Sequence, residues 1–192
     1  MFKRTGLLAA TAIAALALGL AATAPSLGAP EKTVQVGGAP MYPSKNIIQN
    51  AVNSKDHTTL VAAVKAAGLV ATLQGPGPFT VFAPTNSAFA KLPAGTVDTL
   101  LKPENKGTLT KVLTYHVVPG RMTTLSLMKA VKAGGGKAML KTVAGETLTV
   151  MDGGMGKLTV TDAEGDVAHS TLSNVMQSNG VIQVVDTVLL PG

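Results

Sequence analysis

Apolar positions recur at helical spacing in the first half of the chain and at strand-like spacing in the second. Ser44-Lys45-Asn46 precedes Ile47, Ile48, Ala51 and Val52, an i, i+1, i+4, i+5 pattern that predicts a short amphipathic helix. A second helix follows Asp56-His57-Thr58, with Asp56 or Thr58 as its cap. It buries Leu60, Ala63, Val64 and Ala67 and ends at Gly68, a residue suited to a left-handed stop. Gln74-Gly75-Pro76-Gly77-Pro78 reads as a tight turn into a β-rich run, Phe79-Thr80-Val81-Phe82-Ala83, that Pro84 stops because it has no N–H for a ladder. A helix capped by Thr85 or Asn86 then carries Ala88 and Phe89 into the same core. Leu92-Pro93-Ala94-Gly95 breaks that helix, Thr96 caps another over residues 97–101, and Pro103 opens one in which Leu109, Val112 and Leu113 share a face.

Tyr115-His116-Val117-Val118 reads as a short strand closed by Pro119-Gly120. Beyond it the texture changes. Residues 139–143, 147–151, 158–161 and 167–176 are β-type segments separated by glycine-rich turn signals. Residues 181–190 are apolar on both alternating faces except at Gln183, Asp186 and Thr187, which suits a central strand buried on both sides. Helices first and a β meander afterwards make the chain α+β.

The front of the chain is of another kind. Lys3 and Arg4 precede an uncharged run from Leu7 to Leu20 and a small-residue stretch to Ala29, the layout of a secretory signal peptide over residues 1–29. The run falls short of the roughly 20 apolar residues of a membrane span, so no stable anchor is expected after cleavage. Residues 30–43, with Gly37, Gly38 and Pro40, read as a flexible linker, and the folded domain is expected over residues 44–191. With no cysteine in its 192 residues, the chain has no disulfide, Cys-based zinc site or thiol chemistry. Without Lys3 and Arg4 it carries 14 basic and 10 acidic residues. The lysines read as spread along the chain, a mild attraction toward anionic partners rather than the concentrated stripe of a nucleic-acid binder.

Three segments carry a resemblance. Residues 80–89, Thr-Val-Phe-Ala-Pro-Thr-Asn-Ser-Ala-Phe, resemble the first signature of the fasciclin domain. Tyr115-His116 with its aliphatic neighbours resembles that family's tyrosine–histidine motif, and residues 179–191, from Asn179-Gly180 through Asp186 to Pro191, resemble its closing signature. Gln183 stands where the family commonly carries a histidine. The resemblance implies a wedge or sandwich of short β-strands with the N-terminal helices packed around it. It also implies a secreted, periplasmic or cell-surface module of adhesion or interaction type with no enzyme activity, similar to the bacterial single-domain exported members.

Any chemistry would rest on the polar residues of these segments. Adjacent strand residues face opposite ways, so Tyr115 and His116 form no couple; Tyr115 fills the core and His116 is fixed by a hydrogen bond, or the pair contacts a partner together with Pro119, Gly120 and Arg121. The three histidines, His57, His116 and His169, stand more than 50 residues apart, without the close ligand pair of a metal site, so neither metal nor cofactor is expected. Asp186 is either an acid of raised pKa or a corner carboxylate that accepts backbone N–H groups. Phe79, Phe82, Pro84, Thr85, Asn86, Phe89, Asn179 and Gly180 read as structural. The leading expectation is a non-catalytic module that binds a protein or anionic glycan at a cell surface or matrix, and no nucleic acid. The alternatives are a carrier of a small apolar ligand in a helix–sheet pocket and, third, a hydrolase.

Overall fold

The chain enters the fold earlier than its composition suggests. The structure, a computed structural model, describes residues 31–192, so the leader expected over residues 1–29 lies outside the described residues. The linker expected to follow is corrected: Val34–Val36 (β1) and Ala39–Met41 (β2) form an antiparallel ribbon. Gly37 and Gly38 take φ of +58° and +76°, the condition a two-residue type I′ turn imposes. Val36 and Met41 drop from this hairpin into the core.

The helical side follows the predicted apolar faces, with different caps. In Ile47–Ala51 (α1), Asn46 and Gln49 exchange side-chain-to-backbone hydrogen bonds, a capping box. Thr58–Ala67 (α2) buries Leu60, Ala63, Val64 and Ala67 and stops at Gly68 with φ +75°. Neither Asp56 nor Thr58 caps it; the Asn86 Oδ1 accepts from Thr59 N–H at 3.0 Å instead. A short helix, Val70–Gln74 (α3), stands just before the turn signals. Phe79–Pro84 (β3) is the expected strand, and Thr85 caps Asn86–Ala90 (α4) by accepting from Ala88 N–H. Thr96–Leu100 (α5) starts from Gly95 rather than from a Thr96 cap. Lys106–Tyr115 (α6) buries Leu109, Val112, Leu113 and Tyr115. The strand expected over residues 115–118 is therefore corrected: Tyr115 ends α6, His116 is its cap, and Val117–Pro119 (β4) is the strand. Thr124–Ala133 (α7), capped by Thr123, occupies a stretch to which the sequence pattern assigned no element.

Lys137–Lys141 (β5), Thr147–Asp152 (β6), Leu158–Thr161 (β7), Val167–Gln177 (β8) and Gly180–Val185 (β9) complete the chain. The sheet order is β4-β3-β9-β8-β7-β6-β5. β3 and β9 run parallel; the other pairs are antiparallel. β8 carries the bend: its register with β9 shifts between Ser170 and Val175, where Asn174 has φ +59°. One end of the sheet turns back on the other, since Val143 N–H donates to Val117 O at 2.8 Å. Two apolar cores result. Val81, Ala83, Ile182 and Val184 face the helices, whereas Phe82 and Val185 face a second cluster closed by Leu127 and Val131 of α7 and by the inner residues of β5 to β8. β3 and β9 thus form the wall between the two cores, buried on both faces.

Candidate functional site

The segments singled out in the sequence converge on that wall. β3 and β9 pair from Phe79 opposite Gly180 to Pro84 opposite Val185, and Phe82 N–H donates to His116 O at 2.9 Å. Gly180 is required at this closeness, because a Cβ there would lie 2.2 Å from Phe79 O.

His116 is 2 % exposed. Its Nε2 accepts from Leu189 N–H at 3.0 Å, which leaves the proton on Nδ1 to donate to Val112 O at 2.8 Å. Burial pushes its pKa down to about 4, outweighing the opposing effects of Val112 O and Asp162. A neutral ring with both nitrogens engaged has no free lone pair for base catalysis and reaches no surface. Tyr115, on a helix turn about 100° away, is fully buried; its hydroxyl donates to Thr147 O and accepts from Ala163 N–H. Burial raises its pKa, with Ala163 N–H opposing. As partner contacts, Tyr115 and His116 are corrected by this burial.

Asn86, Asn179, Asp186 and Gln183 are likewise engaged within the fold. The Asn86 side chain ties Lys55 O to the start of α2. Asn179 accepts from Ile47 N–H and donates to Leu73 O and Gly75 O, joining α1, α3 and β9. Asp186 lies just past β9, accepts from His169 N–H at 2.8 Å and pairs with Lys91. Burial works to raise its pKa, but hydrogen bonds from His169 N–H and Thr187 together with Lys91 hold it below the ordinary value. A carboxylate kept ionised in this way is the corner acceptor, not an acid of raised pKa. Gln183 is fully buried, accepts from Asn174 N–H and donates to Met122 O, fixing the bend of β8 to the segment before α7.

Pro119, Gly120 and Arg121 do reach the surface, on a segment held from below. Thr80 Oγ1 donates to Gly120 O and accepts from Met122 N–H. Arg121 donates to Gln177 O and Ser178 O at 3.1 and 3.0 Å, beside an open cleft with Pro76, Pro78 and Asn179. The sequence reading missed the charge around it. From Arg121 to Ala144 come Arg121, Lys129, Lys132, Lys137 and Lys141 and no acidic residue. Counting like-charged residues without an intervening acid would have found this stretch. The four lysines lie on α7 and β5, exposed, and the ion pairs among the described residues, Lys91–Asp186 and Lys111–Glu146, involve none of them. Two apolar cavities lie between helices and sheet, one near Val36, Met41 and His57 and the other near Val64, Leu113 and Val117, each of about 30 Å³. That is room for about one water, against roughly 300–1,000 Å³ for a small-molecule site. Among the described residues no group of three or more His, Asp or Glu side chains is placed to hold a metal ion, and no helix is long and apolar enough to cross a membrane.

The chain is similar to known proteins. Protein sll1483 of Synechocystis sp. is 45% identical over 190 residues, 96% of each chain. The cell surface glycolipoprotein MPB83 of Mycobacterium bovis is 38% identical over 123 residues, 64% of this chain and 48% of that one. A FAS1 domain pair from the insect cell adhesion molecule fasciclin I superposes with a TM-score of 0.68 at 16% identity, over 83% of this chain and 58% of that one. The fasciclin domain model matches residues 55–191, and the chain belongs to the fasciclin domain family.

Proposed function

We propose that this protein is an exported, non-catalytic interaction module that binds a macromolecule at the cell surface or in an extracellular matrix. The observation that carries the reading is that the fold itself occupies the polar side chains at the centre of the motifs. His116, Tyr115, Asn86, Asn179 and Asp186 each hold backbone groups of the fold, so the segments common to the family build the domain and the contacts belong to the surface around them. The names of two relatives, a cell surface glycolipoprotein and a cell adhesion molecule, support the same class and location. The contact surface includes Pro119, Gly120 and Arg121 and continues over the basic stretch to Lys141, which favours an anionic protein segment or glycan. The apolar-carrier reading draws no support from cavities of about 30 Å³. The test is capture from solubilised cell envelope, in parallel with a glycan array, using the exported protein with its fold verified by circular dichroism. The expected result is a defined protein or anionic glycan retained at low salt and released as salt rises; correctly folded protein that retains nothing in either format overturns the reading.

A further inference from the structure

β5 ends the sheet order, and its free edge is open where charge and shape coincide. Ala138 and Leu140 point inward and are buried, while Lys137, Met139 and Lys141 point out, Met139 with 69 % of its surface exposed. The hairpin to β6 sets which backbone groups are free. Thr142 N–H donates to Glu146 O at 2.8 Å, so Thr142 and Glu146 are a hydrogen-bonded pair. Hydrogen-bonded and non-hydrogen-bonded pairs alternate in an antiparallel ladder, so in the register that sets Lys141 opposite Thr147 and Met139 opposite Thr149, both residues aim their N–H and C=O away from β6. Val143, next on that side, donates to Val117 O, and β4 lies beside this end of β5, so the edge is closed at its Lys141 end. At the other end Gly134 lies so near Lys137 O that a Cβ on it would stand 2.0 Å away. Between these limits an open cleft runs between α7 and β5, lined by Ala130, Gly134, Lys137, Ala138, Met139 and Leu140.

We propose that this edge receives an extended acidic polypeptide segment as an added antiparallel strand, seated between β5 and α7. The inference rests on the interaction-module reading and names its site and partner. The unpaired backbone groups of Met139 supply the donor and acceptor that strand addition uses, and alternate side chains supply the selectivity. A strand centred on Met139 places its own outward side chains beside Lys137, Met139 and Lys141, so the pattern selected is acid–x–apolar–x–acid. Small residues suit the x positions, which face Ala130 and Gly134, and Lys129 and Lys132 add positive charge from α7. A second copy of the chain is a poor occupant. Two β5 edges paired about Met139 would set Lys137 directly against the other copy's Lys141, and like charges so opposed destabilise a sheet.

The test uses the exported protein and a fluorescent capped peptide, Thr-Glu-Ala-Val-Ala-Glu-Thr, followed by anisotropy. Saturable binding is expected, weakened about tenfold when the valine nitrogen is methylated, since that removes one strand hydrogen bond. The variant carrying Lys137→Glu and Lys141→Glu, checked for folding by circular dichroism, should lose the acidic peptide and gain its Lys-substituted counterpart. Equal binding of the methylated peptide, full competition by polygalacturonate of matched charge, or no binding at millimolar peptide overturns the inference. The two readings fail separately: an envelope partner captured equally by the double variant refutes this site and leaves the interaction module standing, whereas peptide binding without any captured macromolecule refutes the module and leaves the site.

Discussion

Replacing His116 by Ala, followed across pH, tests whether the ring is a fixture of the fold. Its removal leaves Leu189 N–H and Val112 O without the partners they now have at 3.0 and 2.8 Å. Each orphaned buried group costs about 1–3 kcal/mol, and with lost packing the variant should be roughly 3–4 kcal/mol less stable at pH 7. That corresponds to a Tm lower by about 10 °C for a chain of this size. The pH dependence makes the prediction specific. The ring's pKa is about 4 in the folded protein against an ordinary 6.5, so its contribution is intact above pH 6.5. Below that the unfolded chain takes up a proton that the folded one refuses. The wild type therefore loses about 3 kcal/mol from this group as pH falls from 6.5 to 4. The variant has no such loss, so the gap between the two proteins should shrink from roughly 3–4 kcal/mol at pH 7 to less than about 1 kcal/mol at pH 4. Urea denaturation at matched salt measures both midpoints. A gap of the same size at pH 7 and pH 4, or none at pH 7, would refute the reasoning.

Further outcomes follow from the same contacts. Phe82→Ala, at a fully buried site facing the inner core, should cost about 3–5 kcal/mol in chemical denaturation, with loss of any binding following loss of fold. Asn86→Ala removes the acceptor of Thr59 N–H and the donor to Lys55 O, and should cost about 1–2 kcal/mol with faster amide exchange at the first turn of α2. Gly180→Ala drives a methyl to 2.2 Å from Phe79 O and should part β3 from β9, read as lost exchange protection along both strands. Removing residues 31–42 strips Val36 and Met41 from the helix-side core and should lower Tm, where a linker would leave it unchanged.

Much of the fold was legible because burial and period agreed. α2 and α6 carry their predicted apolar faces, and the double-sided apolar run of β9 is the wall between two cores. Errors arose where one residue served two purposes. Gly37-Gly38 and Pro40 look like linker punctuation, but the glycines make a hairpin turn and Pro40 sits in a ribbon that Val36 and Met41 anchor in the core. In α7 the visible alternation of Leu125 and Leu127 hid the helical pair that is buried, Leu127 and Val131. β9 stops before residue 190 because side chains take the backbone donors beyond it: His116 accepts from Leu189 N–H and Asp162 from Leu190 N–H. Asn86 was readable as a cap, but the helix it caps begins 28 residues earlier at Thr58, a contact no local window contains. At the candidate surface, Pro119, Gly120 and Arg121 were legible from the turn, whereas the basic edge needs the sheet order that leaves β5 outermost.

The central claim is that the motifs build the domain while an exposed, basic surface makes contact with a macromolecule. It is tested most directly on intact cells of the source organism. The absence of cysteine lets Met139→Cys, or Val52→Cys on the helical side as a control, carry a photo-crosslinker as a unique label. The account predicts a discrete macromolecular adduct from position 139 and little from position 52. Equal labelling from both positions, or none from a folded and exported protein, would contradict it.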